Sequence, residues 1–161
     1  MTTVYISIGS NIEREFHIRA AVAELKKLGT GIEVSRIYEA EPVGFSGPNF
    51  YNCVLEMETA LQLGHLQQTL KQLELSYGRA PDAQKNQSRT LDLDILLFGE
   101  LVQDCAPQLP RSDLYKFAFV LLPMTELCPE LVVPGDGRTV SQLWHAFEEN
   151  QALWPVERIA C

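Results

Sequence analysis

A single run, Ser88-Arg89-Thr90-Leu91-Asp92-Leu93-Asp94-Ile95-Leu96-Leu97-Phe98, limits what this chain can fold into more than any other. Its apolar side chains are strand-forming, and two carboxylates interrupt them two positions apart. Side chains alternate faces along a β-strand, so Asp92 and Asp94 point the same way, roughly 6.5–7 Å apart at the Cα level. Leu91, Leu93, Ile95 and Leu97 are then expected together on the opposite, buried face. Carboxylates held side by side repel, which calls for a cation between them or a raised pKa. Oxygen ligands at this separation suit Mg²⁺, which keeps several waters and is usually completed by substrate phosphates. Arg89, at the mouth of the strand, reads as a phosphate clamp. A strand with a solvated acidic face and an incidental Arg is the plainer alternative, and the D-L-D spacing leaves both open.

The charge balance bears on that choice. The net charge is −8, which argues against a nucleic-acid surface but not against a nucleotide. Five of the thirteen basic residues, Arg79, Lys85, Arg89, Arg111 and Lys116, fall between positions 79 and 116, around the two aspartates. A local positive field beside paired carboxylates is what a metal–polyphosphate complex requires. At 161 residues, 46% hydrophobic and 21% charged, the chain has the make-up of one globular domain spanning 1–161. No apolar run approaches the ~20 residues of a membrane span, and a basic-then-apolar leader is missing from the start. Cys53, Cys105, Cys128 and Cys161 lie far apart with no C-x-x-C pair, so reduced thiols in a cytoplasmic protein are expected. His17, His65 and His145 are scattered, and no Ser-His-Asp or Cys-His arrangement follows from their spacing.

Residues 3–8 alternate and read as a strand. Gly9-Ser10-Asn11 makes a turn in which Asn11 can cap the next helix. Ile18, Ala21, Val22, Leu25 and Leu28 recur at helical spacing, with Gly29 and Gly31 ending the segment. Residues 32–39 form a second strand, followed by a structured loop with two prolines and two glycines between 42 and 48. Phe50 to Thr59 form a third strand, in which Tyr51, Cys53, Leu55 and Met57 share an apolar face. Phe50 and Asn52 share the other, where an aromatic ring beside an amide can stack on a planar heterocycle and read its edge. A core Phe with a locally bonded Asn remains the alternative there. Leu63, Leu66, Leu70, Leu73 and Tyr77 define a second helix closed by Gly78. Residues 79–88 form a polar stretch fit for a lid.

Further on, Ser112 is a candidate cap for a helix holding Phe117, Phe119, Val120 and Leu121. Pro123 and Pro129 flank another helical piece, and Val140–Glu149 forms a last helix. The tail from Gln151 carries no site signal. The order β-α-β-β-α-β, with C-terminal helical additions, predicts an α+β ferredoxin-like sandwich: an antiparallel sheet with helices packed on it.

Several patterns in this order resemble 6-hydroxymethyl-7,8-dihydropterin pyrophosphokinase of folate biosynthesis. They are Ile8-Gly9-Ser10-Asn11, Tyr38 with Pro42-Val43-Gly44, Phe50-Tyr51-Asn52, Glu74 with Gly78-Arg79, Arg89 to Ile95, Leu109-Pro110, and Phe119-Val120-Leu121 with Pro123. The resemblance implies transfer of the β,γ-diphosphoryl unit of ATP to a pterin hydroxymethyl group, with release of AMP. It implies that Asp92 and Asp94 bind two Mg²⁺, and that Arg79 and Arg89 serve the phosphates. The pterin is expected between Phe50 and Phe119, read by Asn52 and the backbone near Val43 and Gly44. Glu74, Arg79, Lys85, Arg89, Arg111 and Lys116 form the expected ATP side. Small-molecule partners only, with no nucleic acid and no membrane, and a monomeric state complete the expectation.

The chain departs from that pattern at four places. Arg111 stands where the family has a His, and Phe117 where it has an Arg directed at the phosphates. Pro81 and Asn86 replace an Arg and a Trp of the lid. Two readings follow: an active pyrophosphokinase with a rewired phosphate clamp, or a paralogue that binds pterin or nucleotide with little turnover or uses a related acceptor.

Overall fold

The computed structural model describes residues 1–78 and 90–157. In chain order these form β1 (Thr2–Ser10), α1 (Arg14–Leu25), β2 (Thr30–Val34), β3 (Ile37–Ala40), β4 (Phe50–Thr59) and α2 (Leu63–Ser76). There follow β5 (Asp92–Phe98), α3 (Asp113–Lys116), α4 (Ala118–Leu127), α5 (Val140–Ala146) and β6 (Trp154–Val156). The sheet runs β5-β1-β4-β3-β6, with β2 also paired to β4, and every pairing is antiparallel. This is the ferredoxin-like α+β arrangement expected from the strand and helix order, extended at its C-terminal end.

Both faces of the sheet are covered, because alternation supplies an apolar set to each. On one face Val4, Ile6 and Ile8 of β1, Cys53, Leu55 and Met57 of β4, and Leu93 and Ile95 of β5 meet Ile18, Val22 and Leu25 of α1 and Leu66 and Leu70 of α2. On the other, Tyr5, Val54, Leu96 and Leu97 meet Val120, Leu121 and Met124 of α4 and Val140 and Leu143 of α5. Leu97 therefore does not join Leu93 and Ile95 as strict alternation predicts. Ile6 pairs with Ile95 and Tyr5 with Leu97, which leaves Leu96 as an extra residue in β5. A bulge of this kind reverses the facing of everything beyond it.

Local chemistry accounts for the other differences. The strand expected over 32–39 is broken, because the Ser35 hydroxyl accepts the Val54 N–H at 2.9 Å and so substitutes for a ladder carbonyl. The Arg36 N–H turns away to the Glu126 carboxylate at 2.9 Å. Asn11 does not cap α1. Its amide donates to the Pro48 carbonyl at 3.1 Å, tying the end of β1 to the proline-rich loop. The helix instead starts from Glu13, which takes a left-handed φ of 45° without a side-chain cap. It stops at Leu25, short of Gly29. Gly29 serves close approach instead, since a Cβ there would lie 2.3 Å from the Glu58 carbonyl oxygen.

Ser112 precedes only the four-residue α3, and extended Phe117 separates that turn from α4. Pro123 lies inside α4 rather than at its end; the burial of Val120, Leu121 and Met124 outweighs one missing helical N–H. The last helix ends at Ala146, and the tail, which carries no site signal, adds β6 to the edge of β3. No helix among the described residues is long and apolar enough to cross a membrane.

Candidate active site

The catalytic candidates lie on a sheet edge. Among the described residues β5 pairs only with β1, so its outer rim must be satisfied some other way. Two contacts do this. The Glu74 carboxylate, projecting from α2, accepts the Leu93 N–H at 2.8 Å. The Arg111 N–H donates to the Leu96 carbonyl at 3.0 Å. The Glu74 bond falls on the residue between the two aspartates and so fixes the strand segment that presents them.

Asp92 and Asp94, opposite Gly9 and Ser7 of β1, open into a cleft of about 410 Å³. The cleft is also lined by Val43, Phe45, Phe50, Asn52, Glu74, Arg111, Asp113, Phe117 and Phe119. Burial, then the Asp92 charge, pushes Asp94 well above the usual carboxylate range, to about 7; Arg111 opposes the shift, and Asp113 and Glu74 add to it. Arg111 spans two carboxylates, with Nη2 3.4 Å from Asp94 Oδ1 and Nε 3.1 Å from Asp113 Oδ2. Burial works against its charge, but Asp94 and Asp113 more than offset this and hold the guanidinium more firmly protonated. Among the described residues it is the one cation in a lining that also holds Glu41, Glu74, Asp92, Asp94 and Asp113. The positive field expected around the aspartates is therefore not supplied by the described part of the lining.

That electrostatic excess is the test of fit for a metal. Among the described residues no three His, Cys, Asp or Glu side chains converge as a metal cage. Two carboxylates, one of them held towards its protonated form chiefly by burial and then by its acidic neighbours, form an incomplete all-oxygen donor set. It suits a hard divalent cation that brings further oxygens with it.

The opposite end of the cleft is aromatic. Phe50 meets Phe45 edge to face, with ring centroids 6.2 Å apart, and Phe119 stacks on Phe117 at 4.9 Å and 14°. Asn52 is 8% exposed, yet its Nδ2 is buried without a hydrogen-bond partner. A buried amide donor left unmade is costly, and a ligand edge would relieve it. Gly9 makes room, since a Cβ there would approach Asn52 Oδ1 to 3.1 Å.

The structure thus gathers Val43, Phe50, Asn52, Glu74, Asp92, Asp94, Arg111 and Phe119 around one cleft. Gly44 is not part of the lining; its φ of 82° joins Val43 to Phe45, which are. Lys116 is exposed and also off the lining. Arg79, Pro81, Lys85, Asn86 and Arg89 lie outside the described residues. Asp113 and Phe45 escaped sequence reasoning. Asp113 sits two positions from Arg111 with no periodic signal, and Phe45 looked like any apolar residue in a turn-rich loop.

An edge strand that sets two carboxylates at one end of a cleft, with aromatic rings and an unsatisfied amide at the other, has the composition of a transferase joining a metal-bound polyphosphate to a flat heterocycle. The family model described as 7,8-dihydro-6-hydroxymethylpterin-pyrophosphokinase matches residues 5–129. The chain belongs to this family. A Pseudomonas aeruginosa 2-amino-4-hydroxy-6-hydroxymethyldihydropteridine pyrophosphokinase is 39% identical over 158 residues, covering 93% of this chain and 96% of that protein. The Bacillus subtilis protein of the same name is 38% identical over 132 residues, 79% of this chain and 78% of its own length. Among solved structures, a Plasmodium falciparum HPPK-DHPS bound to SDX-DHP superposes with a TM-score of 0.66 over 91% of this chain. That chain is longer, and this one spans 44% of it at 12% identity, a likeness of fold.

Proposed function

We propose that this chain transfers the β,γ-diphosphoryl unit of ATP to the hydroxymethyl group of 6-hydroxymethyl-7,8-dihydropterin, releasing AMP in folate biosynthesis. One observation carries the reading: Asp92 and Asp94 open into the same cleft as Phe50, Asn52 and Phe119. The chemistry asks the protein for positioning and charge stabilisation more than for a strong base.

Asp92 and Asp94 would hold two Mg²⁺, which would supply neutralisation of the phosphate charge that develops during transfer. Glu74 keeps those carboxylates in place through the Leu93 N–H. Phe50 and Phe119 offer ring faces to the pterin. Asn52 offers its unpartnered N–H to the ring edge, beside the Val43 backbone. Arg111 lies close enough to the aspartates to meet the triphosphate and stands in for the arginine replaced by Phe117. Arg79, Lys85 and Arg89 are assigned to the phosphates from the sequence: all three belong to the basic cluster around the aspartates, Arg89 shortly precedes the acidic run, and the family resemblance agrees.

The same reading makes the chain a single-domain cytoplasmic enzyme that acts as a monomer on small molecules. The described residues of the site all line one cleft within this chain, which supports it, and sedimentation at assay concentration tests the monomer. Acceptor-dependent AMP formation from Mg-ATP, abolished in Asp94→Ala, is the expected result. Saturable binding of both ligands with no AMP at high enzyme concentration would instead identify a non-catalytic paralogue.

A further inference from the structure

We infer that Arg111 occupies the metal face of Asp94 as an internal counter-cation until the metal arrives, and that Asp113 is the positioning residue that then retains it beside the phosphates. This rests on the function proposed above and adds a role for a carboxylate that neither the family pattern nor the fold assigns.

The geometry is a fork with unequal prongs. Arg111 Nη2 lies 3.4 Å from Asp94 Oδ1, whereas Nε lies 3.1 Å from Asp113 Oδ2. Both are ion pairs rather than closed hydrogen bonds, Nε being buried without a hydrogen-bond partner, and the Asp94 prong is the longer of the two. The residue's base cannot drift, since its backbone N–H is bonded to the Leu96 carbonyl at 3.0 Å on the strand that carries Asp94. Asp113 is equally well founded. It opens α3, where the neighbouring Leu114 is fully buried and donates its N–H to the Arg111 carbonyl at 3.1 Å. Guanidinium and carboxylate are thus held on one short piece of backbone.

A divalent cation and a guanidinium cannot share one carboxylate face without strong repulsion. Metal arrival at Asp94 must therefore displace the longer prong. Without Asp113 the displaced guanidinium would have no partner and would swing towards solvent. With Asp113 the remaining ion pair at Nε keeps it in the cleft, where the incoming phosphates carry negative charge and can take the unpartnered N–H. Asp94 and Asp113 consequently have opposed effects on the same side chain: one yields it and the other keeps it.

The test separates these roles through metal binding without turnover, with Mn²⁺ as the paramagnetic probe. Free Mn²⁺ is titrated into the enzyme without nucleotide and counted by electron paramagnetic resonance. Arg111→Gln is expected to bind Mn²⁺ roughly 10-fold more tightly than the wild type, because the competing cation is gone. The same variant should lose kcat by about 10²–10³-fold, because a donor to the phosphates is gone. Asp113→Asn is expected to weaken Mn²⁺ binding several-fold and to raise KM for Mg-ATP with little change in kcat, and Asp113→Glu should restore both.

In an Arg111→Gln background, Asp113→Asn should keep only the smaller direct effect of its charge on Asp94, since most of its influence passes through the arginine. Arg111→Lys, which keeps the charge without the fork, guards against a folding defect and should show wild-type-like Mn²⁺ affinity. Unchanged Mn²⁺ affinity in Arg111→Gln, or an Asp113→Asn effect that persists undiminished in the double variant, overturns the inference. A wild type that binds no Mn²⁺ even with ATP present would overturn the proposed function itself, a distinguishable outcome.

Discussion

Glu74 accepts the N–H of Leu93 at 2.8 Å, so a helix on one face of the sheet holds the single peptide between the two aspartates that open onto the other. A carboxylate would ordinarily be excluded from a position 9% exposed unless such a bond compensated it. Glu74→Ala should leave the Leu93 N–H unsatisfied and cost about 1–3 kcal/mol in chemical denaturation. The loss should appear also as weaker Mg²⁺ dependence of turnover. Glu74→Gln keeps an acceptor and should recover most of the stability. Equal losses for both substitutions would mean that the charge, not the bond, matters.

Asp94 gives a prediction with a definite sign. Its folded pKa lies above the unfolded value, so the native state holds an extra proton between roughly pH 4 and 7, and stability falls as pH rises through that window. Above it the full penalty of the buried charge is present. Without metal, Asp94→Asn should therefore raise the melting temperature at pH 8, by a few degrees for roughly 1–2 kcal/mol in a chain of this size. At pH 4 the gain should shrink towards nothing, and activity should be lost at either pH. Calorimetry of metal-free protein at the two pH values decides it, and a melting temperature at pH 8 that does not rise would count against the strained carboxylate.

At the other end of the cleft the unpartnered Nδ2 of Asn52 predicts selective loss. Asn52→Leu should raise the pterin dissociation constant by about 10–100-fold, the value of one or two buried hydrogen bonds. Phe119→Ala should do similar damage through lost stacking. Neither should change affinity for an ATP analogue with Mg²⁺ by more than about two- or three-fold. Titration calorimetry with each ligand separately checks the contrast. Parallel loss for both ligands would show that the cleft had collapsed.

A fourth prediction concerns acid stability far from the cleft. Asp136 receives Arg138 Nε at 2.8 Å and Nη2 at 2.9 Å, together with the Tyr115 hydroxyl at 2.9 Å. The hydrogen bonds from Arg138 chiefly, aided by Tyr115, hold its carboxyl down at about 2. Its folded pKa lies below the unfolded one, so its contribution is complete above about pH 4 and disappears as pH falls through about 2. Asp136→Asn should cost no more than about 1 kcal/mol at pH 6, since Arg138 is largely solvated. At pH 2 the two proteins should unfold alike. A gap in urea midpoints that persists undiminished at pH 2 would assign the effect to packing.

How far sequence alone reaches can be seen residue by residue. Asp92, Asp94, Phe50 and Asn52 were legible because strand alternation has a period of two and each pair sits within it. Arg111 was legible as one of the basic residues gathered around the aspartates and as a departure from a family pattern, and Asp113 not at all, because the contact between them depends on a one-turn helix. Leu97 was misplaced for a related reason: a bulge follows from how two strands pair, which neither strand shows by itself. The break at Ser35 and the rerouting of Asn11 to Pro48 likewise depend on partners nineteen and thirty-seven positions away. Local spacing is readable in a chain; a side chain's choice among distant carbonyls is not.

The extra residue at Leu96 divides β5 into two independent instructions. Upstream, the α4-facing side of the strand is given over to acid groups and chemistry; downstream, that same side turns greasy and anchors the C-terminal helices. Deleting Leu96 would leave Leu97 opposite Tyr5 and Phe98 opposite Val4, but would remove a fully buried side chain from the α4 side and the carbonyl that receives the Arg111 N–H. Such a variant would loosen the C-terminal helices and with them Phe119 and Arg111 of the cleft, so that cohesion and reactivity would fail together.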